Sequence, residues 1–283
     1  MKTLNFSLFL ICTMTCSYSC GSKSKTTQNS MQNADYKFFV LNDASRTGSV
    51  DILINPNSDT LKKYIPTGEY NSAINSFLVQ KNDSNLLIDA GLGNKLVENL
   101  KNYGLTPEKI NAVLITHGHG DHIGGLTGKD AVAVFPNADL YINRVEYDYW
   151  HNNGNVLFAR IVQAYRNRLI IFDINDKEKT IISGIKAIAA YGHTPGHTMY
   201  LAGAGEKQIL FWGDITHVMP IQMPHPEQSV SYDVNPEEAA QTRQKVFEFV
   251  LENNLTVAGM HIPLPAVGKI KKETQGFRFI SEN

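Results

Sequence analysis

Cysteine is scarce in this chain and is confined to one end of it. Of the 283 residues only three are cysteines, and Cys12, Cys16 and Cys20 all lie within the first twenty positions. The rest of the chain therefore has no thiolate that can act as a nucleophile or a metal ligand, and no structural disulfide can form there. Chemistry in the body of the protein has to rely on other side chains.

An excess of charge of one sign is missing as well. The chain has 26 lysine and arginine residues against 27 aspartate and glutamate residues, which gives a formal net charge of −1, and it contains no long block of like charge and no internal repeat. A nucleic-acid-binding protein needs a basic face, so we expect no nucleic-acid partner. With 42% hydrophobic residues, the chain is long enough for one sizeable core.

No apolar run is long enough to span a bilayer comfortably, including the one at the N-terminus. The stretch from Leu4 to Met14 follows Lys2 and is typical of a secretory signal. It leads into "SYSCGS", which resembles the cleavage region of a bacterial lipoprotein signal, where the cysteine becomes acylated. We expect residues 1–19 to be a signal peptide, and the exported protein to be a periplasmic or cell-envelope lipoprotein with a lipid on Cys20 as its only membrane contact. An ordinary signal peptide is the alternative.

The remaining chain divides into a tether and a folded domain. Residues 20–35 are small and polar, as in flexible linkers. Residues 36–283 alternate between β-like and helical segments, which indicates an α/β domain whose sheets are covered by helices. Residues 144–168 are predicted to be mostly helical. The clearest helix is predicted for Asn235–Asn254, where Pro236 and two glutamates occupy the first turn and suit the positive end of the helix dipole.

What the chain does contain is a dense group of metal-binding residue types. The segment "THGHGDHIGG" follows the apolar run "NAVLI" and holds four of them, His117, His119, Asp121 and His122. The glycines between them let the loop curl so that neighbouring side chains point inward. Neutral imidazoles and a carboxylate suit a borderline cation such as zinc, so we predict a metal site directly after this strand.

Three more residues of the same kind follow three other predicted strands. His197 comes after "IKAIAAYGHTPG", Asp214 after "QILFWG" and His261 after "LTVAGM". Strand ends can converge on one edge of a sheet, and so many groups exceed the needs of one tetrahedral ion. We therefore predict two ions that share a bridging carboxylate, that of Asp214. The other histidines are interpreted as ordinary polar side chains, namely His151, His193, His217 and His225.

These motifs resemble the metallo-β-lactamase superfamily. "THGHGDHIGGL", "GHTPGHT", the dipeptide Gly213–Asp214 and the late His261 are similar to its motifs in order and spacing over most of the predicted domain. The resemblance implies an αββα sandwich with a dinuclear metal site at one edge of its sheets. It also implies that Asp89, in the segment "LLIDAG", supports one of the ligands from behind.

The resemblance further implies how the ligands divide between two divalent ions, which we expect to be zinc. One ion takes His117, His119 and His197, and the other takes Asp121, His122 and His261. Asp214 bridges the two ions together with a hydroxide that attacks the electrophilic atom of the substrate. Asp214 and Asp121 are thus the expected catalytic residues, and transfer of a proton from Asp121 to the leaving group is left open.

Within the superfamily, the chain resembles the lactonase and methyl-parathion-hydrolase-like group. "IKAIAAYGHTPGHTMYLAGAGEKQILFWGDITH" is similar to that group's central block, and "FPNADLYINRVEYDYW" is similar to the segment that leads into its helical insert. The likeness implies that a small neutral lactone or activated ester is the substrate. We expect Phe135 and Trp150 to line its pocket, and a homodimer is left open.

Three other activities of the same fold are alternatives. They are hydrolysis of organophosphate triesters, hydrolysis of β-lactams, and oxidation of sulfur compounds by an iron-dependent dioxygenase. The β-lactamases of this fold generally lack the bridging aspartate, and several use a cysteine ligand. The presence of Asp214 and the cysteine-free body therefore argue against the β-lactamase alternative.

Overall fold

Two seven-stranded sheets form the centre of the structure, a computed structural model that describes residues 30–32, 36–205 and 208–282. The predicted signal peptide, residues 1–19, lies outside the described residues, as does most of the predicted tether, residues 20–35. In the described part of the chain, no helix combines the length and the apolar character that crossing a membrane requires.

The strands of the first sheet follow one another in chain order. Within the described residues they are β1 (Ser30–Gln32), β2 (Lys37–Ser49), β3 (Glu69–Lys81), β4 (Ser84–Ile88), β5 (Ala112–Leu114), β6 (Asp139–Asn143) and β7 (Leu169–Phe172). The pairs from β1 to β4 are antiparallel, and the pairs from β4 to β7 are parallel. The parallel half is the part that delivers the "THGHGDH" segment.

The strands of the second sheet also lie side by side in chain order. Within the described residues they are β8 (Glu178–Thr180), β9 (Lys186–Ala189), β10 (Thr198–Ala202), β11 (Ile209–Phe211), β12 (Thr256–Ala258), β13 (Val267–Lys272) and β14 (Phe277–Ser281). Only the pair β11–β12 is parallel among these described strands. A long crossover connects these two strands, and it contains the longest helix among the described residues.

The α-helices lie in the connections between strands. In the described residues they are α1 (Ser58–Tyr64), α2 (Leu96–Asn102), α3 (Gly120–Ile123), α4 (Arg144–Asn152), α5 (Val156–Tyr165), α6 (Met219–Gln222) and α7 (Pro236–Glu252). Helix α7 confirms the prediction, and the side chain of Asn235 accepts the N–H of Glu238 at its start. The predicted helical stretch 144–168 is divided, because Gly154 has a φ of +64° and Asn155 begins a new helix by accepting the N–H of Phe158.

The main core lies between the two sheets. In β4 and β5, Ile88 and Leu114 face the second sheet, whereas Leu87 and Val113 face α2 and α5 on the other side. Both faces are therefore buried, and each fully buried aliphatic side chain contributes roughly 1.5–3 kcal/mol. Helix α7 covers the second sheet. The layers are helix, sheet, sheet and helix, which confirms the predicted αββα sandwich.

Phe135 belongs to the outer part of the core, and the prediction that it lines a substrate pocket is wrong. Its side chain is fully buried and packs in the cluster beneath α5. Its main-chain N–H donates to the hydroxyl of Tyr165 at 3.2 Å. A phenyl ring gains the most free energy where it is wholly removed from water, and the space under α5 provides that position.

Candidate metal centre

Four strands lead to one buried cluster of histidines and aspartates. The connections that follow β5, β9, β11 and β12 carry these side chains, so strand ends that are distant in the chain converge, as the sequence predicts. After β5 the chain makes a short loop and then begins α3 directly after His119. The first turn of α3 contributes both Asp121 and His122.

The carboxylate of Asp214 is the centre of the cluster. It is 2% exposed, and its Oδ1 lies 3.1 Å from Nε2 of His122. Its Oδ2 lies close to four further imidazole Nε2 atoms, those of His217 (2.9 Å), His261 (3.1 Å), His193 (3.4 Å) and His117 (3.6 Å). One carboxylate thus faces imidazoles on both of its oxygens, as a bridging ligand must.

Two sets of side chains each bring their ligand atoms within 4.8 Å of one another, a spacing at which they could hold a metal ion. The first set consists of His117, His119, His193 and Asp214, and the second set consists of Asp121, His122 and His261. The second oxygen of Asp214 faces His122 of the second set. The predicted division into two groups of ligands is therefore present, with one histidine exchanged.

That exchange concerns the two histidines of "GHTPGH". Nε2 of His193 lies 3.0 Å from Nδ1 of His119, whereas Nε2 of His197 accepts the main-chain N–H of Asp214 at 2.9 Å. The structure therefore places His193, and not the predicted His197, among the side chains that could hold a metal. The reason is that β10 begins at Thr198, so His197 is already aligned with a buried strand, while His193 lies in the loop that reaches the sheet edge.

His217 is a further imidazole of the cluster that the sequence analysis interpreted as an ordinary polar side chain. Its Nε2 lies 2.9 Å from Oδ2 of Asp214, and its ring stacks on that of His261 with the centroids 4.9 Å apart. Asp214, His217 and His261 form a third set that could hold a metal. The signal that could have revealed His217 is its place on the same short loop as Asp214, in "GDITH".

The hydrogen bonds behind the imidazoles show that a cation fits this site. Three Nδ1 atoms each face an acceptor oxygen, in the pairs His122–Asp89 (2.7 Å), His193–Asp233 (2.8 Å) and His261–Ala73 main chain (2.9 Å). These oxygens accept, so Nδ1 carries a proton in each pair, and a ring that holds no second proton presents its Nε2 lone pair to Asp214. Nε2 of His122 and Oδ1 of Asp214 are buried with no hydrogen-bond partner among the described residues. A divalent cation between such lone pairs removes their repulsion.

Asp89 lies directly behind His122, where the sequence resemblance places it. Its carboxylate is fully buried, and it accepts hydrogen bonds from the main-chain N–H and the hydroxyl of Thr116, at 2.8 and 2.7 Å. These donors fix the position of the carboxylate. The carboxylate in turn fixes the tautomer and the ring orientation of His122.

A sequence model of the metallo-beta-lactamase superfamily matches residues 70–261. This range covers more than half of the 283-residue chain and includes every side chain of the two sets. This chain belongs to the metallo-beta-lactamase superfamily. The membership confirms the predicted family, and it confirms the predicted class of enzyme, a hydrolase of this superfamily.

Solved structures of this superfamily align with almost the whole chain. The hydrolase AbOPH has a TM-score of 0.81 and 29% sequence identity, and the alignment covers 92% of this chain and 99% of that chain. AidC, a dizinc quorum-quenching lactonase in complex with the product N-hexanoyl-L-homoserine, has a TM-score of 0.82 and 26% identity, with coverage of 90% and 97%. The similar structures therefore include a lactonase.

A curated relative in the superfamily matches over a shorter range. Exodeoxyribonuclease WalJ of Streptococcus pneumoniae is 37% identical over 83 residues, which is 29% of this chain and 30% of the relative. The chain thus spans about a third of the length of that relative. Such a local match is consistent with membership of the superfamily, but it does not indicate which substrate this chain acts on.

The imidazoles of this superfamily site differ in their affinity for protons. Burial lowers the pKa of His119 to about 3 and that of His217 to about 4. Burial also acts to lower the pKa of His193, but hydrogen bonds with two aspartates, Asp214 first, outweigh it and raise the pKa to about 9. Burial acts to raise the pKa of Asp214, yet the surrounding imidazoles hold it well below its usual range. Asp214 therefore stays ionised, and protons and metal ions compete for the same imidazoles.

Asp121 forms the solvent-facing side of the second set. Its side chain is 24% exposed, and its Oδ2 lies 3.6 Å from Nε2 of His261. The same oxygen lies 3.9 Å from a guanidinium nitrogen of Arg46. Arg46 comes from β2, far from any motif, so sequence reasoning had no signal for it. Its charge stands at the entrance to the metal centre.

Trp150 lies beside the first set. Its ring centroid is 5.4 Å from that of His119, and the side chain is partly exposed. The indole N–H donates to Glu146 at 2.5 Å. The apolar ring of Trp150 can therefore contact a bound molecule, while its N–H group stays hydrogen-bonded to Glu146.

Proposed function

We propose that this protein is a dinuclear metal-dependent hydrolase that cleaves a lactone or an activated ester. The observation that carries the proposal is the carboxylate of Asp214, which lies between the two sets: its Oδ1 faces His122 of the second set, and its Oδ2 faces histidines of both sets. Two divalent ions, when bound there, would supply hydroxide near neutral pH and a positive charge that stabilises the developing oxyanion. We propose zinc because neutral imidazoles and carboxylates are its usual ligands at catalytic sites.

The residues of the chain have distinct tasks in this proposal. One ion would be held by His117, His119 and His193, and the other by Asp121, His122 and His261. Asp214, which lies between the two sets, would be shared by both ions. Nδ1 of His217 is buried without a hydrogen-bond partner among the described residues, so the proton belongs on Nε2, which faces Asp214. His217 would therefore orient the bridging carboxylate by donating to it.

The surroundings of the metal centre favour a substrate with an apolar part. The ring of Trp150 lies beside His119, and the ring of Tyr232, which is half exposed, lies 5.9 Å from that of His217. Aromatic walls with a few polar groups are typical of small-molecule sites. The likeness to AidC, whose bound product is an opened lactone, supports a lactone as the scissile group.

A panel of substrates tests the reaction. Zinc-loaded protein is assayed with N-hexanoyl-L-homoserine lactone, an aryl ester, a phosphotriester and a cephalosporin. We expect hydrolysis of the lactone or the aryl ester, abolished in Asp214→Ala and retained in Asp148→Asn, which removes an exposed carboxylate of α4. If only the phosphotriester or only the cephalosporin is hydrolysed, the corresponding alternative replaces the proposed function. If none of the four substrates is hydrolysed, the proposed function is refuted.

Metal analysis of protein purified without added metal tests the cofactor. We expect two zinc ions per chain. A single iron ion together with oxygen consumption on thiol substrates would instead support the sulfur-oxidising alternative, because that chemistry needs a redox-active metal.

We also propose, on the sequence alone, that the protein is exported and anchored by a lipid on Cys20. Wild-type protein produced in a bacterial host should separate with the membrane fraction, and Cys20→Ser should not. Recovery of unprocessed wild-type protein from the cytoplasm would contradict both export and lipidation.

A further inference from the structure

Glu146 of α4 lies fully buried between the two loops that supply the first set of histidines. Its Oε1 accepts the main-chain N–H of Gly118 at 2.8 Å and the indole N–H of Trp150 at 2.5 Å. Its Oε2 accepts the main-chain N–H of Gly196 at 3.0 Å and the hydroxyl hydrogen of Thr194 at 2.7 Å. One carboxylate thus receives four hydrogen bonds from three separate segments.

The partners of Glu146 stand next to the metal-binding histidines. Gly118 lies between His117 and His119, and Thr194 directly follows His193. Oε1 therefore holds the loop after β5, and Oε2 holds the loop after β9. The carboxylate joins two loops that are distant in the chain and that together form the first set.

Close packing makes this connection stiff. A Cβ atom on Gly196 would overlap the main chain of Glu146, and a Cβ atom on Gly118 would overlap the indole of Trp150. Both loops therefore contact α4 without space between them. In a close-packed interior, a shift of the carboxylate is passed on to its neighbours.

The chemistry of the four bonds limits what Glu146 can do. A carboxylate has about four lone-pair sites, and all of them are used. Three of the partners are N–H groups, which only donate, so they favour the ionised form and offset part of the effect of burial, which raises the pKa of Glu146. No lone pair remains for a metal ion, and full burial keeps the side chain away from a bound molecule. Glu146 is thus suited to hold the loops in place.

We propose that Glu146 is a positioning residue that sets the distance and orientation between the two loops, and thereby the affinity of the first set for its metal ion. This inference rests on the metal centre of the proposed function but not on the identity of the substrate. In Glu146→Gln, an NH₂ group would face main-chain N–H donors. At least one loop would lose its hydrogen bonds and move.

A titration of the metal-free full-length protein with cobalt(II) tests this proposal without an activity assay. The d–d absorption of bound cobalt reports the ligand geometry, and competition with a chelator reports the affinity of each ion. We expect Glu146→Gln to bind one of the two ions about 10- to 100-fold more weakly, as is usual when a partner behind the ligands is lost, with altered d–d bands. The matched control, Asp148→Asn on the exposed side of α4, should bind both ions as the wild type does.

Several outcomes would decide against the inference. Glu146→Gln protein with wild-type affinities and spectrum would overturn it even if its unfolding temperature fell, because Glu146 would then serve stability alone. If Glu146→Gln does not fold, Thr194→Val replaces it, since it removes one donor from the second loop. We expect that variant to weaken the same ion roughly fivefold, and unchanged binding would overturn the proposal.

The same titration separates this inference from the proposed function. Wild-type protein that binds two cobalt ions but, with zinc, hydrolyses none of the tested substrates would refute the proposed function. The effect of Glu146→Gln on cobalt affinity would still support the positioning role. Wild-type protein that binds no cobalt would refute both.

Discussion

The two sets of side chains that could hold metal ions are built alike, but their distant histidines are supported in different ways. Each set takes two side chains from "HGHGDH" and one histidine from a loop far along the chain. Nδ1–H of His261 donates to the main-chain carbonyl of Ala73 in β3, at 2.9 Å. Nδ1–H of His193 donates to the side chain of Asp233, at 2.8 Å. A main-chain carbonyl thus supports His261, and a side-chain carboxylate supports His193.

The side-chain support of His193 extends into α7. Oδ2 of Asp233 accepts the N–H of Val230 and lies 3.7 Å from the buried guanidinium of Arg243. Arg243 in turn donates to the carbonyl of Ile215 at 2.7 Å, next to Asp214. The first set therefore depends on side chains that single substitutions can remove, whereas the distant ligand of the second set is held by a strand of the sheet. Mutations should separate the two sets.

The largest effect is expected from the carboxylate that lies between the two sets. Asp214→Ala removes both oxygens of the proposed bridging group, and hydrolysis should fall by roughly three powers of ten or more. Initial rates on the best substrate of the panel, together with the zinc content, measure this loss. A variant with near-wild-type rates would show that Asp214 does not bridge.

The next largest effect separates the two histidines of "GHTPGH". His193→Ala should lower the zinc content from two ions to one and lower activity roughly 100-fold, because a direct ligand is lost. His197→Ala should keep both ions but unfold at lower denaturant concentration, since the buried N–H of Asp214 loses its acceptor at a cost of roughly 1–3 kcal/mol. If His197→Ala loses a zinc ion and His193→Ala keeps both ions, His197 is the ligand and His193 is not.

A smaller effect is expected from the side chain behind His193. Asp233→Asn keeps the shape of the residue but offers a weaker, neutral acceptor, so one ion should be bound about 10-fold more weakly. Chelator competition measures the two affinities, and Asp148→Asn again is the control. Equal weakening of both ions would mean that the supports of the two sets are not independent.

The last effect is measured as folding stability instead of metal binding, and it is expected from protons acting on the metal-free protein. The pKa values of His119 and His197 are about 3, and that of His217 is about 4. Below the unfolded-state pKa of 6.5, these histidines bind protons in the unfolded chain but not in the folded protein. Each ring therefore lowers the free energy of unfolding by roughly 1.4 kcal/mol for every pH unit that the pH falls.

His193 has the opposite shift. Its pKa of about 9 means that its stabilisation is fully present below pH 6.5 and is lost as the pH rises toward 9. Stability of the metal-free protein should therefore be greatest near pH 6.5 and fall on both sides. Urea unfolding in the presence of a chelator measures it. A stability that rises steadily from near pH 5.5 to near pH 9 would contradict these assignments.

The pattern of the primary structure predicts an α/β domain, its resemblance to the superfamily implies the αββα sandwich, and together they predict six of the seven side chains of the two sets. Apolar runs such as "NAVLI" predict buried strands, and both faces of β5 are indeed covered. The residues His117, His119, Asp121 and His122 are neighbours in the chain, so a tight loop keeps them neighbours in space. Asp214 and His261 each follow their strands directly and have no competitor of the same type before them.

Folding in three dimensions selects among residues that the chain alone leaves equivalent. His193 and His197 stand in the same motif, and their positions differ because β10 begins directly after His197, whereas His193 lies in the preceding loop, which contacts α4 through Glu146. Glu146 finds its partners on segments far from it in the chain, so its position carries no periodic signal. Phe135 could be core or pocket by sequence, and only the packing beneath α5 buries it. Long-range packing decides these cases because burial and hydrogen bonding there depend on several segments at once.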